Sequence, residues 1–186
     1  MASAHGDYYS NTANGRTFFG SSASGGIALI VPATTGGHPT LWNPTGSGVN
    51  LSLTRLELGY VSGNNAPTCI EWAITSNAGS SAATAAPIAT ATLVTPTSAL
   101  LGGTGTSAAK WSPTTNTFTA APTFIRSTGL SLFTGVAATA VAPFTLIAMY
   151  SGDFCIAPGT AVSLCTQAAT TTAVFQVTVT WEEIAV

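Results

Sequence analysis

The sequence predicts an all-β fold: an antiparallel β-sandwich of the jelly-roll kind with an extended N-terminal arm. Two patterns carry that expectation. Apolar residues recur at every second position in one segment after another, and Gly, Pro and Asn turns separate the segments. Few Leu, Glu, Lys or Arg stand at the three- and four-residue spacing of a helix. A third observation bears on function. The chain carries four Lys or Arg and six Asp or Glu in 186 residues, where an average soluble domain of this length has roughly 46 charges. Residues 72–109 carry none.

Residues 1–20 read as the extended arm, with Asn14-Gly15 a turn between the aromatic pairs Tyr8-Tyr9 and Phe18-Phe19. Residues 21–186 read as one sandwich domain. A short buried strand is expected at 27–31, closed by Pro32, and then a Gly-Gly-His-Pro loop at 36–39. Leu41-Trp42 is cut off by the turn residues at 43–48. The segment 49–62 is long, and its apolar residues change phase: Val49, Leu51 and Leu53 share one face, and Leu56, Leu58 and Tyr60 the other. That predicts a bulge or a strand covered on both sides. After a turn at 63–67, residues 68–75 alternate again.

Residues 76–122 are rich in Ala, Thr, Ser, Gly and Pro. Disorder normally accompanies high charge, so this region reads as ordered loops with a short strand pair and a strand at 88–95. Strand patterns return at 123–127, 144–150, 153–156, 160–166 and 173–184. In the last, Phe175, Val177, Val179 and Trp181 point one way, and Gln176, Thr178, Thr180 and Glu182 the other, as in a half-buried antiparallel strand. About eight strands, with long early connections and tight late hairpins, describe a jelly roll.

Composition also narrows function. The net charge is −2 and the cations Arg16, Arg55, Lys110 and Arg126 stand singly. No basic stripe exists for nucleic acid or for an anionic membrane. The N-terminus has no basic and apolar signal-peptide pattern. The best membrane-spanning candidate, 130–150, is broken by Gly135, Pro143 and several Thr, and reads as two strands around a bend. Cys69, Cys155 and Cys165 read as small buried hydrophobes of a reducing cytoplasm, although Cys155 and Cys165 flank a turn across which they could face each other.

Catalysis needs convergent titratable groups, and few are available. Glu182 and Glu183 are neighbours on a strand and face opposite sides. Glu57 and Glu71 could meet across strands with Arg55 or Arg126, as an ion pair or a solvated face. His5 and His38 have no metal-ligand spacing, and Gly102-Gly103-Thr104-Gly105 lacks the Lys of a phosphate loop. The expectation is no enzyme, no cofactor and no metal. Trp72 and Trp181 read as core, and Trp42 and Trp111, beside loops, as contact residues.

Three stretches carry a resemblance: Leu-Trp-Asn-Pro-Thr-Gly-Ser-Gly-Val-Asn at 41–50, Ser-Gly-Asp-Phe-Cys-Ile-Ala-Pro-Gly at 151–159, and Val-Thr-Trp-Glu-Glu-Ile-Ala-Val at 179–186. The chain resembles the small Ala/Thr/Gly-rich virion proteins of tailed bacteriophages from about residue 18 to the end. That resemblance implies a trimeric, tumour-necrosis-factor-like jelly roll serving as capsid decoration (cement) protein or fibre knob. It transfers no catalytic or ligand-binding residue. Free monomers are kept apart by charge, so a chain with so little reads as a subunit of something larger.

The leading expectation is therefore a homotrimeric cement protein on the exterior of a phage head, made in the bacterial cytoplasm. Its partners would be itself and the major capsid protein, with no nucleic acid and no membrane. Tyr8, Tyr9, Phe18, Phe19, Trp42 and Trp111 are the candidate capsid or subunit contacts. The alternative is a receptor-binding fibre or spike knob with an exposed aromatic groove for glycans. A third reading is a major subunit of a tube or shell.

Overall fold

The computed structural model describes residues 6–63, 68–76, 88–90, 92–132, 145–168 and 173–186. The expected turn at 63–67 apart from Gly63, all of 77–87, the expected bend at Pro143 with the rest of 133–144, and His5 lie outside these residues. Among the described residues the chain is nearly all β, with antiparallel pairing throughout.

One sheet is built from β1 (Thr17–Ser21), β4 (Val49–Ser62), β7 (Thr97–Ser98), β11 (Thr145–Met149) and β14 (Val174–Ala185) in the order β11-β4-β14-β1-β7. The short β12 (Cys155–Ile156) also pairs with β4. The other sheet holds β3 (Thr40–Asn43), β5 (Thr68–Ser76), β8 (Lys110–Ser112), β10 (Thr123–Leu132) and β13 (Thr160–Thr166) in the order β10-β5-β13-β3-β8. A third, small sheet pairs β2 (Thr35–Gly37) and β6 (Ile88–Thr90) with β9 (Thr115–Phe118). One short helix, α1 (Gly6–Ala13), precedes β1.

The two large sheets share one core. Leu51, Leu53, Leu56, Leu58, Phe175, Val177, Val179 and Trp181 from the first meet Leu41, Ile70, Trp72, Trp111, Val162 and Leu164 from the second. The β14 alternation expected from sequence is present: its four inward residues are fully buried. The phase change in β4 is a bulge. Thr180 pairs with Arg55 and Trp181 with Leu53, so Thr54 is skipped. Its carbonyl instead accepts from Tyr150 N, and its hydroxyl donates to the Thr180 carbonyl. All four leucines then point inward.

Four expectations are corrected. Residues 6–20 are not an extended arm, because 6–13 form α1 and β1 is hydrogen-bonded on both sides, to β14 and β7. The Asn14-Gly15 turn is the helix's end. Gly15 adopts φ of 68°, Gly15 N donates to Thr12 O and Arg16 N to Asn11 O, the Schellman closure that favours Gly. Residues 27–31 make one bridge, Ile27 to Phe175, without a strand, although Leu29 is fully buried. The 36–39 segment belongs partly to β2. The middle region is more structured than one strand pair, holding β6, β7, β8 and β9.

Polar and ring contacts tie the sandwich edges. The segment Val94–Ser98 crosses from one sheet to the other, Val94 bridging Trp111 and Thr97 pairing with Phe19. Beneath it, Trp111 reaches across so that its Nε1 donates to Ser21 O at 2.9 Å. At the other edge Arg126 of β10 pairs with Asp153 at 2.8 Å and lies over the rings of Tyr150 and Phe154. The Trp72 Nε1 donates to the Tyr150 hydroxyl at 2.7 Å between the sheets.

Gly20 is what lets Trp111 approach. A Cβ there would stand 2.5 Å from the indole ring, far inside van der Waals contact. Gly20→Ala is therefore expected to cost about 1–3 kcal/mol through overpacking, read as a lower midpoint in urea unfolding. Gly59→Ala on β4, where a Cβ meets nothing within 4 Å, serves as the near-neutral control. Equal midpoints for the two variants would contradict the Trp111 contact.

Candidate interaction surface

Strand alternation places a second set of side chains on the outer face of the first sheet. Register aligns them into rows. Met149, Arg55, Thr180, Phe19 and Thr97 form one, from the β11 edge to the β7 edge. Ile147, Glu57, Thr178 and Ser21 form the next, and Thr145, Gly59 and Gln176 a third. Ile147 is 53% exposed and Met149 60%, while Leu146 and Ala148 on the same strand pack on the core. Val61, exposed, stands near the far end of β4.

Charge on these rows is confined to one pair. Arg55 and Glu57, two apart on β4 and so on one face, are ion-paired at 2.5 Å. The rest is Thr, Ser, Gln, Gly and apolar side chains, with Ser21 and Thr178 hydroxyls 3.0 Å apart. Helix α1 lies across one end of this face. Asn11 Nδ2 donates to Glu182 and the Thr12 hydroxyl to Thr17, which buries Thr17. Tyr8 and Tyr9 are thus presented, more than half exposed, beside the outer face. Glu183 faces the other way and accepts from Ser107 Oγ and the Ala108 backbone.

The six contact candidates separate. Tyr8, Tyr9 and Phe19 belong to this surface, Phe19 half-buried in the row that runs from Met149 to Thr97. Phe18 and Trp111 are corrected to core: they are 2% and 1% exposed, because β1 alternation turns Phe18 onto Trp181 and because Trp111 closes the sandwich edge. Trp42 is half-buried on the outer face of the second sheet, with a sealed Nε1 that has no partner. Sequence reasoning missed Ile147 and Met149. Their signal, apolar residues on both faces of a five-residue strand, is indistinguishable from a buried strand without a register.

At the β7 edge the surface ends in a recess of about 190 Å³ lined by Phe19, Gly20, Ser21, Val94, Thr95, Pro96, Thr97 and Trp111. That is below the roughly 300 Å³ at which small-molecule sites begin. It suits one side chain.

The β8-β3-β13 part of the second sheet's outer face is occupied from within the chain, while Phe124 on β10 stays half exposed. The small sheet covers that part, enclosing Thr40, Ser112, Asn116, Ser163, Cys165 and His38. Thr40 and Ser163 hydroxyls are bonded, Ser112 donates to Asn116, and Asn116 Nδ2 donates to His38 O and to Thr40. Cys165 Sγ lies 3.4 Å from His38 Nδ1. Burial lowers the His38 pKa to about 4 and raises that of Cys165 to about 12. A nucleophilic Cys–His pair needs both shifts reversed, so this is a neutral packing contact.

Glu71, opposite Cys165 on β5, is also raised by burial. It does not meet Glu57, which lies on the other large sheet. Cys155 is exposed and sits in the first sheet, so it neither pairs with Cys165 nor packs as a buried hydrophobe. Cys69 is half-buried. Among the described residues no group of three or more His, Cys, Asp or Glu converges as for a metal ion, and no helix is long and apolar enough to cross a membrane.

Comparison with protein-family models, with curated proteins and with solved structures finds no match. The surface must be interpreted from its own chemistry.

Burial of His38 is expected to make stability depend on pH. Its folded pKa lies below the ordinary 6.5, so the unfolded state binds the extra proton between pH 6.5 and 4. Stability is full above 6.5 and falls as pH drops towards 4, by about 3 kcal/mol if fully expressed. Glu71 titrates with the opposite sign. Unfolding free energies measured from pH 7 to 4 should therefore show a shallower decline in His38→Leu than in the wild type, whatever the variant's absolute stability. Parallel curves would refute the assignment.

Proposed function

We propose that this chain is a structural virion protein, a homotrimeric capsid decoration (cement) protein that binds and stabilises the head of a tailed phage. The observation that carries the reading is the outer face of the β11-β4-β14-β1-β7 sheet. It is broad and nearly neutral, with one internally paired charge couple and exposed Ile147 and Met149. Burying such a face against protein removes apolar area from water at about 25 cal/mol per Å² and strips few ions of their hydration.

Strand order supports the jelly-roll form of the sandwich. The strands β1, β3, β4, β5, β10, β11, β13 and β14 take the first and second sheets in the sequence one, two, one, two, two, one, two, one. Two nested Greek keys generate that alternation. Helix α1, rather than an extended arm, is the element that would reach the major capsid protein, through Tyr8 and Tyr9.

The glycan-binding knob draws less support. Sugar recognition favours open aromatic platforms, whereas Trp72, Trp111 and Trp181 are fully buried and Trp42 half-buried.

Two measurements test the proposal. Sedimentation of the purified chain should give a trimer mass, and the protein should add to phage heads in hundreds of copies at fixed lattice positions in imaged particles. Tyr8→Ser with Tyr9→Ser should abolish head binding and leave the trimer intact. A monomeric wild type, or a few copies located at the tail tip, would defeat the cement reading.

A further inference from the structure

We infer that copies of this chain join head to tail around a closed ring, the Ile147–Met149 edge of one first sheet seated in the Phe19–Trp111 recess at the opposite edge of the next. The inference rests on the self-association proposed above and assigns the surfaces that carry it.

Three observations converge. First, the exposed apolar side chain and the recess lie at opposite ends of one row: Met149 on β11 at one edge, Thr97 on β7 at the other, with Arg55, Thr180 and Phe19 between. A patch that is complementary to a different patch on an identical molecule makes a heterologous contact, which closes into a ring when the rotation allows. Second, size agrees. The recess holds about 190 Å³, too little for an ordinary small-molecule ligand and enough for an unbranched, adaptable methionine side chain. Third, charge agrees. The recess is lined by no charged residue, and the cation beside Met149, Arg55, is already paired with Glu57.

The recess is also preformed. Its lining includes the buried Trp111, held by the Nε1 bond to Ser21 O and by the absence of a Cβ at Gly20. One wall is the crossing segment Val94–Thr97, fixed by the Val94–Trp111 and Thr97–Phe19 pairings. Binding a side chain there requires little reordering, which is the main cost of association at a soft surface.

Cysteine cross-linking reads the geometry directly. Met149→Cys and Thr97→Cys are introduced together with Cys155→Ser, which removes the exposed native thiol. Within one chain the two new cysteines are four strand spacings apart, about 19 Å, well beyond the roughly 7 Å Cα limit of a disulfide. Mild oxidation should therefore give dimer and trimer bands on a non-reducing gel, with nothing larger. Met149→Cys alone should give no cross-linked band. As a second arm, Met149→Asp or Ile147→Asp, both at exposed positions, should convert the assembly to a folded monomer with unchanged circular dichroism.

The outcomes separate cleanly. A monomeric wild type overturns both the ring and the proposed function. A trimeric wild type with no cross-linked band, or with a band from Met149→Cys alone, overturns the head-to-tail contact and leaves the trimer standing. A ladder running past three overturns closure.

Discussion

The bulge at Thr54 is the constraint on which the rest of the structure depends. Strand β4 is the longest among the described residues, and its leucines occur at 51, 53, 56 and 58. In a regular strand the period of two would bury one pair and expose the other. Skipping Thr54 in the β14 ladder restores the phase, so that all four are fully buried. At about 1.5–3 kcal/mol for each buried leucine, the gain far exceeds the one lost ladder pairing. The Thr54 groups stay satisfied through Tyr150 N and Thr180 O. The same phase shift sends Arg55, Glu57 and Gly59 outward. Core and interaction surface are thus two sides of one register.

A chain with ten charges must settle its interior and its edges by other means. It does so with hydroxyls, amides and indole N–H groups. Asn43, fully buried, donates to the Val49 and Ile156 carbonyls and thereby joins two turns at one end of the sandwich. Trp111 and Trp72 each carry a hydrogen bond as well as a large apolar surface, which lets one residue close a core and link two elements. The Arg126–Asp153 couple is exposed and worth little by itself. Its stacking over Tyr150 and Phe154 adds contact that does not depend on full ion pairing.

What could be read from sequence follows from which signals are local. The β4 bulge, the β14 alternation and the bounds of β13 were legible because period-two patterns and turn residues mark them directly. Helix α1 was not. Tyr8, Asn11 and Thr12 are weak helix formers, and the helix is held by its glycine closure and by Asn11 and Thr12 contacts to residues near in space. The short strands β7, β8 and β9 were hidden because segments of two to four residues are too short to show a period. Phe18 and Trp111 looked like surface residues for a related reason. Their neighbours are turn-rich, and only the tertiary pairing of β1 with β14 and of Val94 with Trp111 turns them inward.

The scarcity of charge takes on a specific meaning once the register is known. Most of the few ions are placed where they cost least. One oxygen of Glu182 accepts from Asn11, Glu183 accepts from the Ser107 hydroxyl and the backbone N–H groups of Ala108 and Ala109, and Arg126 pairs with Asp153 and Arg55 with Glu57. An ion buried in an interface unpaired is penalised by several kcal/mol, and a paired one still loses hydration that its partner repays only in part. On the three rows of the first sheet's outer face that cost is confined to the Arg55–Glu57 pair, and specificity must come from shape. The distinctive features of this face lie at its borders: exposed Ile147 and Met149 at one edge, the recess at the other, and α1 across one end.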